Sequence, residues 1–163
     1  MDKSPAISLI SLQSVDGRLV SNERIFDKFD REFLQKNSKE LPWFLCSGRL
    51  QNEFYELHKE DIHTEEKIPV NYVVLDNYQL APKTLIWLTN RYQHVYIITY
   101  VTDNIGYQFK NVEVISYDGQ ELSSALNKLY LLGCRKLIVY CDGLVNDYLF
   151  NHNLIDIVDN IIA

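Results

Sequence analysis

Carboxylates, a hydroxyl, a guanidinium and a thiol stand in this chain at points where apolar runs stop. Asp16 lies in the turn Ser14-Val15-Asp16-Gly17-Arg18 after the run Ala6–Leu12, and Asp76 closes the run Val70–Leu75. Open α/β sheets place acid and base groups in this way, just outside the carboxyl ends of strands. Asp is equally at home there as a turn residue, because its side chain bonds the backbone two residues on. Ser47-Gly48-Arg49 ends the run Trp43–Cys46 and joins a hydroxyl, a glycine and a guanidinium able to grip phosphate with two bonds. The same tripeptide also serves as an ordinary loop. In Lys136–Phe150 the apolar run Leu137–Cys141 meets Asp142-Gly143, after which Leu144, Val145, Tyr148 and Leu149 recur at helical spacing. Strand, tight turn and helix in that order set the free N–H groups of a helix start against any bound anion. Asp142 can itself accept those N–H groups as an N-cap, and its charge would repel a phosphate.

Other chemistries find little support. His58 and His63 are five apart, a spacing that neither a helix nor a strand brings onto one face, so no metal site is expected. The chain has no Gly-x-Ser-x-Gly, Walker loop or Gly-x-Gly-x-x-Gly. Cys46, Cys134 and Cys141 lack a suggestively placed His and sit in or near apolar segments, which predicts reduced, buried thiols.

The elements that must position these groups alternate along the chain. Strands are predicted at Ala6–Leu12, Trp43–Cys46, Val70–Leu75, His94–Thr99, Val112–Ser116, Leu137–Cys141 and, from a looser pattern, Ile157–Ile162, with a brief one at Leu19-Val20. Between them, Phe26, Phe29, Phe33 and Leu34 mark one helical face, opposite Lys28, Arg31, Glu32, Gln35 and Lys39. Further helices are predicted over Leu50–Lys59, with Phe54 and Leu57 inward, and over Lys83–Tyr92. Another, after Asp118-Gly119, has Leu122, Ala125, Leu126, Leu129 and Leu132 on its apolar face, and Gly133 stands where a helix commonly ends in the left-handed conformation. Asp61–Lys67 reads as a surface loop. This rhythm predicts a three-layer α/β domain with a largely parallel sheet, one domain over residues 1–163 without repeat or linker.

The 47% hydrophobic and 23% charged shares are those of a globular protein. A net charge of −6, without a Lys/Arg run, gives no footing for nucleic acid or an anionic membrane. No apolar stretch approaches the roughly 20 residues of a membrane span, and Met1–Pro5 leads into a strand with no signal-peptide core, so a cytoplasmic protein is expected.

Together these segments resemble the reductase domain of the bifunctional riboflavin-biosynthesis deaminase-reductase family, whose fold is like that of dihydrofolate reductase. Ser14-Val15-Asp16-Gly17-Arg18 matches the family's first turn, and Val73, Val74, Leu75, Asp76 and Pro82 match its Val-Val-Leu-Asp strand and following proline. Tyr96-Ile97-Ile98-Thr99 is similar to an apolar strand ending in Thr, and Asn146, Leu149 and Ile155-Asp156 fall in register with the last helix and the Leu-Val-Asp-Glu segment. The resemblance implies an NADPH-dependent reductase of a pyrimidine or pterin-like small molecule, acting as a homodimer. It places Asp76 and Asp16 on the substrate side, and Ser47, Gly48, Arg49, Thr99, Cys141, Asp142, Gly143 and Leu144 along the cofactor. It also exposes departures. Tyr140-Cys141-Asp142 stands for the family's Glu-Gly-Gly, Ile10 stands for a Lys of the riboflavin-pathway members, and the family's last strands are expected to be missing. The alternative is therefore a binding or scaffold protein that keeps the fold but not the cofactor site.

Overall fold

The computed structural model describes residues 3–13, 41–60, 67–76, 80–99, 109–116, 122–140 and 143–162, of which 10–13, 143–145 and 159–162 are described by backbone alone. The elements run β1 (Ala6–Gln13), β2 (Trp43–Ser47), α1 (Gly48–His58), β3 (Ile68–Leu75), α2 (Pro82–Arg91), β4 (Tyr92–Thr99), β5 (Val112–Ser116), α3 (Leu122–Leu131), β6 (Lys136–Tyr140), α4 (Gly143–Asn151) and β7 (Ile157–Ile162). The expected helix around Phe26–Leu34, the strand at Leu19-Val20, the Asp118-Gly119 turn and nearly all of the Asp61–Lys67 loop lie outside the described residues.

The seven strands lie in the order β5-β4-β3-β2-β6-β1-β7. Every pair is parallel, rather than most of them. Two apolar layers follow from the alternation of side chains along each strand. Leu45, Val73, Leu75, Ile98, Leu137 and Val139 face α3 and α4, packing with Leu122, Ala125, Leu126, Leu129 and Leu149. Phe44, Cys46, Val70, Tyr72, Val74, Val95, Ile97 and Tyr140 face α1 and α2, packing with Leu50, Phe54, Leu85 and Leu88. Burial on both faces is what makes these strands read as unbroken apolar runs.

The order of strands fixes where the winding reverses. The unit β2-α1-β3 steps along the sheet in one direction, whereas β6-α4-β7 steps in the other, across β1. Right-handed crossovers then place α1 and α4 on opposite faces, in agreement with the two core layers. Since β2 and β6 are neighbours, paired from Phe44↔Ile138 to Cys46↔Tyr140, the sheet has its switch point between them.

Helix ends follow local chemistry. The Gly133 φ of 109° ends α3, and the Cys134 N–H bonds the Leu129 carbonyl at 3.0 Å while Gly133 N–H bonds Tyr130 at 3.0 Å. That pairing closes the last turn as glycine at this position allows. Asn153 does the same after α4 with φ 52°, donating to Phe150 while Leu154 donates to Leu149. Two expectations are corrected. Leu57, expected inward, is 54% exposed, because α1 turns Leu50, Gln51 and Phe54 to the sheet instead. Leu132, expected on the apolar face, is 42% exposed, because α3 stops at Leu131 and the chain turns outward. Cys46 and Cys134 are buried, as predicted, and Cys141 lies outside the described residues.

Candidate active site at the carboxyl edge of the sheet

A wholly parallel sheet brings all its strand ends to one edge, and ligands of open sheets settle there at the switch point. Here α1 opens directly from β2 at Gly48, and α4 opens from the neighbouring β6 at Gly143. Two helix N-termini therefore flank the β2/β6 boundary from opposite faces, each presenting N–H groups that precede its own ladder.

Ser47 is the N-cap of α1. Its backbone is extended (φ −76°, ψ 150°), and its Oγ accepts the Leu50 N–H at 3.3 Å. Gly48 is the first helical residue and is buried. A Cβ on it would meet the Leu80 nitrogen at 3.3 Å and Asp76 Oδ1 at 3.4 Å, so its bare face is filled by the β3–α2 connection. Arg49 is exposed beside the same helix start. Of the tripeptide read as a phosphate seat, the hydroxyl and the glycine face serve the fold, and the guanidinium lies toward solvent.

Asp76 follows β3, the strand next to β2. It is 2% exposed, its N–H bonds the Ile98 carbonyl at 2.9 Å, and its Oδ1 accepts the Leu80 N–H at 3.0 Å. The Asp76 side chain thus bonds the backbone four residues on, rather than two, with its carboxylate held beside the α1 N-terminus. Such a placement is electrostatically favourable for a helix with no acidic residue in its first turn. Thr99 ends β4, fully buried and two strands from β2, in register with Ser116. Gly143 and Leu144 lie in the first turn of α4. Asp16, Cys141 and Asp142 lie outside the described residues, so Ser47, Gly48, Arg49 and Asp76 are the predicted groups that the structure brings together.

Asn52 belongs with them and escaped the sequence reading. Its Oδ1 accepts the Ala81 N–H at 2.9 Å and the Thr84 hydroxyl at 2.7 Å. Ala81 is the N-cap of α2 and makes no side-chain cap bond, and the neighbouring helix holds this end of α2 through the Ala81 N–H and the Thr84 hydroxyl. The available signal was Ala81-Pro82: proline favours the first helical position, while alanine cannot satisfy the donors behind it. Among the described residues no cluster of three or more His, Cys, Asp or Glu is able to hold a metal ion, and no helix is long and apolar enough to cross a membrane.

Solved structures share this fold. RibD of Acinetobacter baumannii superposes with a TM-score of 0.65 at 14% identity, covering 98% of this chain and 46% of that one. The diaminohydroxyphosphoribosylaminopyrimidine deaminase/5-amino-6-(5-phosphoribosylamino)uracil reductase of Thermotoga maritima gives 0.63 at 17% identity, covering 98% and 45%. The riboflavin biosynthesis reductase of Saccharomyces cerevisiae gives 0.59 at 10% identity, covering 98% and 73%. Since a reductase matches over the same 98% as the bifunctional enzymes do, the shared part is their reductase domain. The chain shares its fold with these riboflavin-pathway reductases. That fold is the dihydrofolate reductase-like α/β architecture, with seven parallel strands among the described residues. The chain spans less than half the length of the two bifunctional proteins. No protein-family model and no curated protein matches the sequence.

Proposed function

We propose that this reductase-like fold binds NADPH at the β2/β6 switch point and reduces a pyrimidine or pterin-like ring presented from the β3 side. The observation that carries the reading is the pair of helix starts at that boundary, with an exposed cation on one of them. The residues fit a dinucleotide there: Arg49 offers two parallel donors to a phosphate, and the α4 first turn at Gly143-Leu144 offers backbone N–H groups. When bound, NADPH supplies the hydride. The chain's own residues hold and orient. Ser47 keeps the first turn of α1 in place, Thr99 packs the adjoining strand ends, and the buried Asp76 carboxylate serves the substrate side as a proton-handling group, a role that the family resemblance extends to Asp16. Fluorescence titration of the purified protein with NADPH tests this. Saturable binding is expected, weakened roughly tenfold in Arg49→Ala by loss of a charge-assisted bond. No binding by the wild type at millimolar NADPH overturns it.

A second reading, a binding or scaffold protein without the cofactor, is favoured by the filled face of Gly48 and by the anionic Asp142 where the family has glycine. It predicts no NADPH binding by the wild type and a gain in Asp142→Gly, which removes a like charge next to the helix start. Micromolar binding by the wild type eliminates it.

A further inference from the structure

We propose that Asn52 is a positioning residue for this site, acting on it through the β3–α2 connection rather than by touching a ligand. That connection is held at both ends. Asp76 accepts the Leu80 N–H, and one residue later Asn52, reaching across from α1, accepts the Ala81 N–H. The same amide oxygen takes the Thr84 hydroxyl, so a single acceptor secures the loop end and the first turn of α2 together. Leu80 is thereby pressed against Gly48, where its nitrogen and Cβ lie 3.3 Å and 3.4 Å from the ideal Cβ position. The clamp joins α1, α2 and the end of β3 into one unit, and that unit carries the Asp76 carboxylate beside the helix start bearing Arg49. Losing the Asn52 bonds leaves Leu80 held by Asp76 alone, which loosens the seat of Leu80 on Gly48 and with it the position of the Asp76 carboxylate. Each of these two bonds needs only an acceptor at position 52. Aspartate therefore reproduces the function, while leucine, similar in size, does not.

The inference rests on the reading of this edge as the ligand site, and its test separates the two. NMR amide exchange at Leu80 and Ala81, with NADPH titration alongside, is measured for the wild type, Asn52→Leu, Asn52→Asp and Leu129→Ala. The last variant loses stability in the opposite core layer. Exchange at both amides is expected to quicken about tenfold in Asn52→Leu, as fits the loss of one or two neutral hydrogen bonds. NADPH affinity is expected to fall by a similar factor, both effects reverting in Asn52→Asp and neither occurring in Leu129→Ala. Unchanged exchange in Asn52→Leu overturns the proposal, as does an affinity loss that Leu129→Ala shares. If the wild type binds no NADPH, the cofactor reading falls while the exchange measurement still decides the role of Asn52.

Discussion

Cys134 shows how much one side chain's surroundings settle. It is fully buried in the layer under α3, and its Sγ lies 3.6 Å from the Lys136 carbonyl. Burial pushes the thiol up to about 12 from 9.0, with Arg135 pulling weakly the other way. The thiol is therefore neutral and inert wherever the protein is folded near neutrality. Because the folded value lies above the unfolded one, its contribution to stability is complete below about pH 9 and is lost as pH climbs from there toward 12. Iodoacetamide at pH 8 is expected to leave Cys134 unlabelled until urea unfolds the chain. Cys134→Ala is expected to show a shallower fall of the urea midpoint across that alkaline window. The apolar setting of this residue was readable from the sequence, since Leu-Leu-Gly-Cys precedes a strand. The size of the shift was not, because it depends on packing by residues far along the chain.

At the scale of elements, the sheet seam at β1 depends on a residue that follows a helix. Asp156 Oδ2 accepts the Ile7 N–H at 2.7 Å, and its own N–H bonds the Ile7 carbonyl at 2.9 Å. The pair starts the β1/β7 ladder that runs from Ser8↔Ile157 to Gln13↔Ile162. Removing a charged acceptor from a backbone N–H at a partly exposed site costs about 1 kcal/mol. Asp156→Ala is expected to lose that much in urea unfolding, and Asp156→Asn, which keeps an acceptor, to lose less. The helix ends beside this seam were only half legible. Gly133 was recognised as a left-handed terminator, whereas Asn153 plays the same part through the one other residue type commonly found there. Strand ends were legible to within a residue or two, because both-face burial stops abruptly where the chain leaves the sheet. The inward face of α1 was not, as Leu57 shows: its apolarity is real, but Gln51 takes the buried place by donating to the Tyr72 hydroxyl.

For the whole molecule, one sheet separates two apolar layers, and that separation makes a quantitative prediction. Leu129 and Leu88 are each fully buried on opposite faces. Either truncation to alanine is expected to cost ~2–5 kcal/mol through lost burial and the void left behind. With a strand layer between them and no shared partners, the double variant is expected to equal the sum within about 0.5 kcal/mol by urea unfolding. A coupling well beyond that would mean the layers yield together, and with them the geometry of the switch point.

What the amino-acid order determined unaided was the class of the fold and the stations along it. Apolar runs long enough for a strand, punctuated by Asp, Gly and Ser, dictate burial and turning locally, and those are short-range consequences of side-chain chemistry. The tertiary structure alone decided which stations meet. That β2 lies against β6, so that two helix starts flank one strand boundary, and that Asn52 holds the Ala81 N–H in front of a helix beginning at Pro82, depend on strand order and long-range packing. Neither leaves a periodic mark in the sequence, because a hydrogen bond between helices constrains one acceptor and one backbone donor rather than a repeating pattern of residue types.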